Sequence, residues 1–563
     1  MSSNRFAPPR PGFAEVFTPK LVTVLKEGYG LAQLRTDAVA GLTVAIVALP
    51  LSMAIAIASG ASPERGLYTA IVGGFLISAL GGSRFQIGGP AGAFIVLVAA
   101  TIERHGIDGF LLATIIAGFI LVAIGLLRLG TYIRYIPHPV TVGFTAGIAV
   151  IILASQLRDL FGLTLPGKEP AAFLPKIEAL AGAASTVNAT AVLVAGFTIG
   201  TILLVRRLRP TWPALLVAVV AASVAAALLA LPVETIGTRF GGVPDRLPAP
   251  ALPDVSLARI VEVLPAAVAI ALLGGIESLL SAVVADAMSG RRHRSDMELV
   301  AQGIANIGAA LFGGICATGT IARTATNIRS GAVGPVAGML HAVFLLAFML
   351  FAAPLASYIP LAALAGVLAV VAWNMAEKHE FIDLLKRSRG EAVVLLVTFG
   401  LTVFRDLTEG IAAGVVLGSF LFMHRMAQLV AVETGRALAP EDEGDEPEDG
   451  GSTLDVMVYR ITGPLFFGAS TSVATALERI GSFPRAVILD LSAVPFADSS
   501  AVGSLATFVA RARRNGAAVY IACASASVRR MLEHEHLGLP SRHFAPDVPA
   551  ARESVRAAAE PSP

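Results

Sequence analysis

Apolar runs long enough to cross a bilayer recur from about residue 38 to residue 428, separated by short polar turns. A hydrocarbon core about 30 Å thick calls for roughly 20 apolar residues per helix. Fourteen segments fit, near residues 38–58, 65–81, 90–101, 109–127, 139–157, 188–205, 212–231, 262–286, 298–314, 320–331, 335–354, 359–374, 391–405 and 409–428. The basic residues between them give an orientation, because Lys and Arg collect in cytoplasmic loops. Arg128 and Arg134, then Arg206, Arg207 and Arg209, then Arg291, Arg292 and Arg294, then Lys378, Lys386, Arg387 and Arg389 fall in alternate loops on the side of the N-terminus. An even number of spans leaves both chain ends on that side. The pattern predicts a multi-pass protein of the cytoplasmic (inner) membrane, embedded in the lipid bilayer with both termini cytoplasmic.

Past the last span the pattern changes. The run Glu441 to Gly451 is nearly all acidic and Gly, repels itself and cannot bury a core, so residues 431–452 read as a solvated linker. Beyond it, Leu454–Ile461, Ala486–Leu491 and Ala517–Ala522 read as strands, and Ser500–Asn515 and Ser527–His534 as helices. Alternating strands and helices over residues 453–563 make a small soluble α/β domain with a C-terminal tail. Residues 1–37 form a cytoplasmic N-terminal segment and 38–430 the membrane domain.

The membrane domain looks duplicated, with repeats about 38–232 and 262–428. Gly88-Gly89-Pro90-Ala91-Gly92 opens the third span and Thr318-Gly319-Thr320 the tenth, seven spans later, and both apolar runs that follow are short. Seven spans per repeat is an odd number, so the two copies run in opposite orientations (a 7+7 inverted repeat). Paired short or Gly/Pro-interrupted segments of this kind point to a transporter's binding site.

Composition narrows the function. Charged residues make up 15% and hydrophobic ones 55%, against about 25% charged in soluble domains. A net charge of +2 leaves no footprint for nucleic acid. Cys316 and Cys523 stand alone, which gives neither a disulfide framework nor zinc spacing, so no metal or other cofactor is expected. Residues Met1–Lys26 lack the basic and apolar regions of a signal peptide. No nucleophile, base and orienting group fall together, so the chain does not read as an enzyme.

The candidate chemistry lies where the two short segments begin. A helix starting near the midplane presents unpaired N–H groups and about half a positive charge. Pro90 suits a first helical position, Gly88, Gly89 and Gly92 allow close backbone approach, and Thr318 or Thr320 can cap the tenth helix. Two inverted copies would aim both positive ends at one point and form an anion site, although the same glycines would also serve tight helix packing. Arg323 lies inside the tenth span, sharing a face with Asn327 while Thr320 stacks with Thr324. It supplies positive potential there, or else bridges to a carboxylate. Glu277, mid-span on one face with Gly274 and Ser281, can carry a coupling proton or hold a cation, or else pair permanently with Arg323. In the soluble domain Asp498, Ser499 and Ser500 sit at a strand-to-helix turn, as an N-cap or a regulatory site.

These residues resemble the SulP family of sulfate permeases and related anion transporters, which includes prestin. The carriers of the likeness are Leu49-Pro50, Gly66-Leu67-Tyr68, Gly88-Gly89-Pro90, Gly275-Ile276-Glu277-Ser278 and Ile321-Ala322-Arg323-Thr324. They are followed by Gly463-Pro464-Leu465-Phe466-Phe467 and the Asp498-Ser499-Ser500 turn of a STAS domain. The resemblance implies a core domain of spans 1–4 and 8–11 working against a gate domain of spans 5–7 and 12–14, usually in a homodimer. It also implies that Leu51 to Ile55 border the pocket and that the backbone of Ala91, Gly92, Ala322 and Arg323 faces the anion, with proton or sodium coupling at Glu277. Phosphorylatable STAS proteins carry Gly after Asp-Ser-Ser, where this chain has Ala501, which argues against serine phosphorylation. The expected function is secondary active transport of a small anion (sulfate, a dicarboxylate or bicarbonate) by proton-coupled symport and alternating access. The alternatives are a sodium-coupled symporter, an uncoupled exchanger or channel, a sensor signalling through the STAS domain to a cytoplasmic protein, and a nucleobase transporter.

Overall fold

In the computed structural model, residues 12–133, 136–167, 169–170, 172–210, 212–405, 407–435, 456–478, 484–534, 539–540 and 543–559 are described. The acidic run 441–451, Arg134 and the first eleven residues lie outside these. The chain divides into Met1–Val415 and Val416–Pro563.

The first unit is helical, and a helix occupies every one of the fourteen apolar windows. Eight helices among the described residues are long and apolar enough to cross a membrane, from Leu31–Ala58 to Leu407–Gln428. Length alone does not fix the number of crossings. Windows three and four form one element, Ile95–Leu126, broken at Gly106, where φ is 69°. Window ten is the nine-residue helix Ile321–Arg329, about 13 Å long at 1.5 Å per residue. That is less than half a bilayer core, so its N-terminus ends inside the protein.

Small residues bring these helices together. At the crossing of Ile95–Leu126 with Ser295–Leu311, Gly118 and Gly303 face each other, and a methyl on either would lie 2.6 or 2.4 Å from the other's carbonyl oxygen. Bulkier residues cannot pack there. Phe94, Phe110, Leu67 and Ile152 belong to the apolar core of this unit, all nearly or fully inaccessible.

One buried carboxylate organises the turn that leads to the third window. Glu298 is fully buried, and its Oε2 accepts from the Gly82 and Ser83 amides at 2.9 and 3.1 Å. Its Oε1 accepts from Gln302 Nε2 at 2.9 Å and Ser278 Oγ at 3.3 Å. These four donors satisfy both oxygens of a carboxyl group that has left water.

The second unit is the α/β domain anticipated in the sequence. After the short pair β1 (Gly88–Gly89) and β2 (Thr318–Gly319) of the first unit, strands β3 (Ala431–Gly435), β4 (Val456–Thr462), β5 (Ala486–Ala493), β6 (Ala518–Ala522) and β7 (Phe544–Ala545) form one sheet in chain order. The β3–β4 pair is antiparallel and the others are parallel. Residues alternate across β5: Leu489 packs under helix Ser499–Arg514 with Val502 and Leu505, while Ile488 packs on the other face with Ala551 and Val555 of helix Val548–Ala559. Strand β3 falls within the window read as linker. Its five residues lack alternation clear enough to mark a strand, and their partner lies beyond the acidic run.

Asp490, in the middle of β5, is almost fully buried. Burial opposes its charge, but Arg460 Nε at 2.8 Å and the Ser492 amide at 2.9 Å hold its carboxyl below the usual range. Stability from this pairing is complete above the unfolded carboxyl's pKa, about 3.9, and is lost as pH falls through the lower folded value. Differential scanning of the soluble unit's unfolding should therefore show the midpoint falling below about pH 4. Asp490→Asn should flatten that acid limb.

Candidate functional site

The two short windows meet directly. β1 (Gly88–Gly89) and β2 (Thr318–Gly319) pair antiparallel, Gly88 with Gly319 and Gly89 with Thr318. A 3-10 turn, Gly92–Phe94, leads from β1 into helix Ile95–Leu126, and helix Ile321–Arg329 follows β2. Since each helix leaves an antiparallel strand, the two starts sit side by side. Their first N–H groups have no intrahelical acceptor.

Two details differ from the sequence reading. Pro90 is not the first helical residue: Ala91 takes the N-cap position with extended φ and ψ of −117° and 145°, because the chain must finish β1 before it turns. Thr320 does occupy the N-cap of its helix but makes no capping bond. Its Oγ1 donates instead to Ile87 O at 3.2 Å, and Thr318 Oγ1 donates to Gly274 O at 3.1 Å. Both hydroxyls secure strand positions, which leaves the helix terminus without a side-chain cap.

Glycine is required at this crossing by space. A Cβ on Gly319 would lie 1.4 Å from Gln86 Nε2, and that amide cannot swing away because it donates to Ser278 O and Oγ at 3.2 and 3.0 Å. Gly319→Ala should lower the thermal midpoint of detergent-solubilised protein, at a cost of about 1–3 kcal/mol. Adding Gln86→Ala should restore much of it.

Arg323 reaches back from its helix to β1. It is only 2% exposed, and its Nη2 donates to Ser52 Oγ at 3.1 Å and Pro90 O at 3.3 Å. Its Nε and Nη1 have no partner. No carboxylate pairs with it among the described residues, so the ion pair with Glu277 is not formed. Nη1 lies 2.3 Å from where a Gly89 Cβ would be, so glycine lets the guanidinium lie against the strand.

A cavity of about 350 Å³ opens here. Of the residues picked out in the sequence, Leu51, Ile55, Pro90, Ala91, Gly92, Thr320, Ala322, Arg323 and Glu277 line it. Gly89, Thr324 and Ser281 do not. Gly89 backs the Arg323 side chain. Thr324 Oγ1 accepts from the Ile87 amide at 3.1 Å and pairs with Ser281 Oγ at 3.1 Å. These two hydroxyls tie the Ile321–Arg329 helix to Leu257–Ser289 behind the wall. The Glu277 carboxylate has no hydrogen-bond or ionic partner among the described residues.

The opposite wall carries Thr145, Leu368, Asn374 and Glu377, none of which was singled out in the sequence, together with Arg206. Arg206 had been read as one of a loop triplet; the helix Ala189–Leu208 runs on two residues past it, which places it in the last helical turn.

In the α/β unit Asp498 is the N-cap of Ser499–Arg514. Its Oδ1 accepts from the Ala501 amide at 2.9 Å and its Oδ2 from the Phe467 amide at 2.8 Å. Ser499 and Ser500 open that helix and are exposed.

The sulfate permease family model matches residues 34–398, and a STAS domain model matches 452–549. The candidate sulfate transporter YvdB of Bacillus subtilis is 41% identical over 526 residues, which cover 92% of this chain and 97% of that protein. The bicarbonate transporter BicA of Synechocystis is 31% identical over 518 residues, covering 89% and 90%. The structure of the murine Slc26a9 anion transporter in the inward-facing state shares the fold with a TM-score of 0.84 at 19% identity, covering 98% of this chain and 96% of that one. The transmembrane domain of a cyanobacterial BicA matches with a TM-score of 0.61 at 31% identity, covering 69% and 98%. The chain thus belongs to the sulfate permease family, as a multi-pass helical membrane transporter with a C-terminal STAS domain rather than an enzyme.

Proposed function

We propose that the protein is a secondary active importer of a small anion, held in the cavity between the starts of the two short helices and coupled to protons through Glu277. The observation that carries this reading is one cavity wall bearing both an arginine with two unpartnered nitrogens, Nε and Nη1, and a carboxylate with no partner among the described residues. An anion seated there would accept from Arg323 and from the free backbone N–H groups at Gly92 and Ala322. Such donors read charge more than shape.

The coupling follows from the membrane potential. Carrying one negative charge into a negative-inside cell costs about 2.3 kcal/mol per 100 mV, and a proton moving on Glu277 cancels one charge. A carboxylate beside the anion seat would also repel the anion when ionised and cease to do so when protonated. The two ligands would therefore favour each other's binding.

Sulfate is the first substrate to test, since the 41% identical relative is named for it, and bicarbonate the second. Labelled sulfate, bicarbonate, fumarate and chloride should be offered to proteoliposomes with and without an inward proton gradient. Uptake of one anion that the gradient accelerates supports the reading. Uptake accelerated only by sodium moves the coupling ion to Na⁺ at the same carboxylate, and uptake indifferent to both makes the protein an exchanger. The fourteen-span 7+7 arrangement, with both ends cytoplasmic, belongs to the same proposal and is testable by cysteine accessibility at Ser3 and Ser562.

A further inference from the structure

The end of the spans where basic residues collect carries a segment that the transport reading leaves unused. Helices Phe13–Val16 and Lys20–Lys26 precede the first span and are pinned to the membrane unit. The Lys20 amide donates to Gly81 O at 2.9 Å, and Arg294 Nη1 donates to Thr18 O at 2.8 Å and Thr23 Oγ1 at 2.9 Å. Yet the segment turns apolar side chains outward: Phe13 is 62% exposed, Leu25 54% and, at the start of the first span, Leu31 80%. A segment tethered this firmly has no reason to hold such groups in water when the bilayer begins one turn further on.

Positive charge surrounds them. Arg128 lies 5.9 Å from the Phe13 ring, and Lys20, Arg84 and Arg294 lie near one another. Burial, then the Arg294 and Arg84 charges, hold the Lys20 ammonium below the usual lysine range. Arg291 and Arg292 are exposed, with no side-chain partner among the described residues. The acids nearby are already engaged: Glu27 pairs with Arg84, Asp286 with His293 at 2.7 Å, and Asp296 accepts from the Gly130 amide at 3.0 Å. Only Glu15 is free. Apolar side chains beside unneutralised basic ones are the signature of an interfacial segment that seeks anionic lipid.

We propose that residues 13–31 form an interfacial anchor for anionic phospholipid, with Phe13, Leu25 and Leu31 in the acyl boundary and a headgroup phosphate among Lys20, Arg291 and Arg292. The anchor also reaches the transport machinery. Lys20 holds Gly81, and the next two residues are held by Glu298, five residues before β1 begins. The lipid therefore fixes the turn from which the strand backing Arg323 departs.

The test places tryptophan in the segment, as Phe13→Trp and separately Leu25→Trp, in full-length protein reconstituted with brominated lipids. The signal of native Trp212 and Trp373 is subtracted. Brominated phosphatidylglycerol should quench the new tryptophan more than brominated phosphatidylcholine at equal mole fraction. Lys20→Gln with Arg291→Gln should erase the preference, each charge being worth about fivefold in occupancy. Equal quenching by the two lipids, quenching by neither, or a preference that survives the charge removal would overturn the proposal. So would its abolition by millimolar inorganic phosphate, which would make the ligand a free phosphate rather than a lipid.

Discussion

Arg323→Gln protein should fold, reach the membrane and bind its anion weakly. A hydrogen bond to a charged group contributes about 1.5–3 kcal/mol, so the half-saturating anion concentration should rise roughly 10- to 100-fold. The loss should exceed what burial of the side chain would suggest, because Nε and Nη1 have no other acceptor to leave behind. Arg323→Lys separates charge from geometry. A lysine keeps the positive potential but cannot donate to Ser52 and Pro90 while presenting a second edge to the cavity, so it should fall between wild type and glutamine. Equal affinity in wild type and Arg323→Gln, measured by isothermal titration on protein with an unchanged thermal midpoint, would remove the arginine from the site.

Glu277→Gln should separate transport from its driving force. In the wild type each unit of inward pH gradient is worth about 1.4 kcal/mol, enough for up to a tenfold change in accumulation. Acid outside should speed uptake. In the glutamine protein the accumulation ratio should no longer respond to the gradient, while exchange of internal for external anion continues. That surviving exchange distinguishes a lost coupling group from a misfolded protein. If the variant still accumulated anion in proportion to the proton gradient, the coupling site would lie elsewhere.

The sequence exposed the apolar windows, three of the strands after the acidic run and most of the cavity's near wall, because each is a local signal. Hydropathy marks a helix, alternation marks a strand, and a glycine cluster before a short apolar run marks a broken span. The far wall with Thr145 and Asn374 was not legible, since those residues come from helices that look uniformly lipid-like and only packing selects the face that turns inward; Glu377 sits in the polar turn after Leu361–Met375 and looked like an ordinary loop acid. Pro90 misled for a related reason. Proline suits a first helical position, but the pairing of Gly88 with Gly319 keeps the chain extended up to it and delays the helix to Gly92, and no sequence-local rule foretells a partner 231 residues away. Glu298 went unnoticed because a carboxylate near the start of a helix is ordinary. Its burial, and the two amides it grips, are properties of the fold alone.

The antiparallel pairing of β1 with β2 bears on how access can alternate. Two residues from each half, bonded to one another and locked by the Thr320 and Gln86 contacts, make the two helix starts a single rigid cradle. Such a cradle cannot open along its own seam without breaking the geometry that grips the cargo. The anion should thus meet the same donors at the same distances whichever compartment it came from, and the microscopic dissociation constants on the two faces should differ only through the electric field and the opposite wall. Sidedness would then reside in the half of the protein that makes the fewest contacts with the cargo.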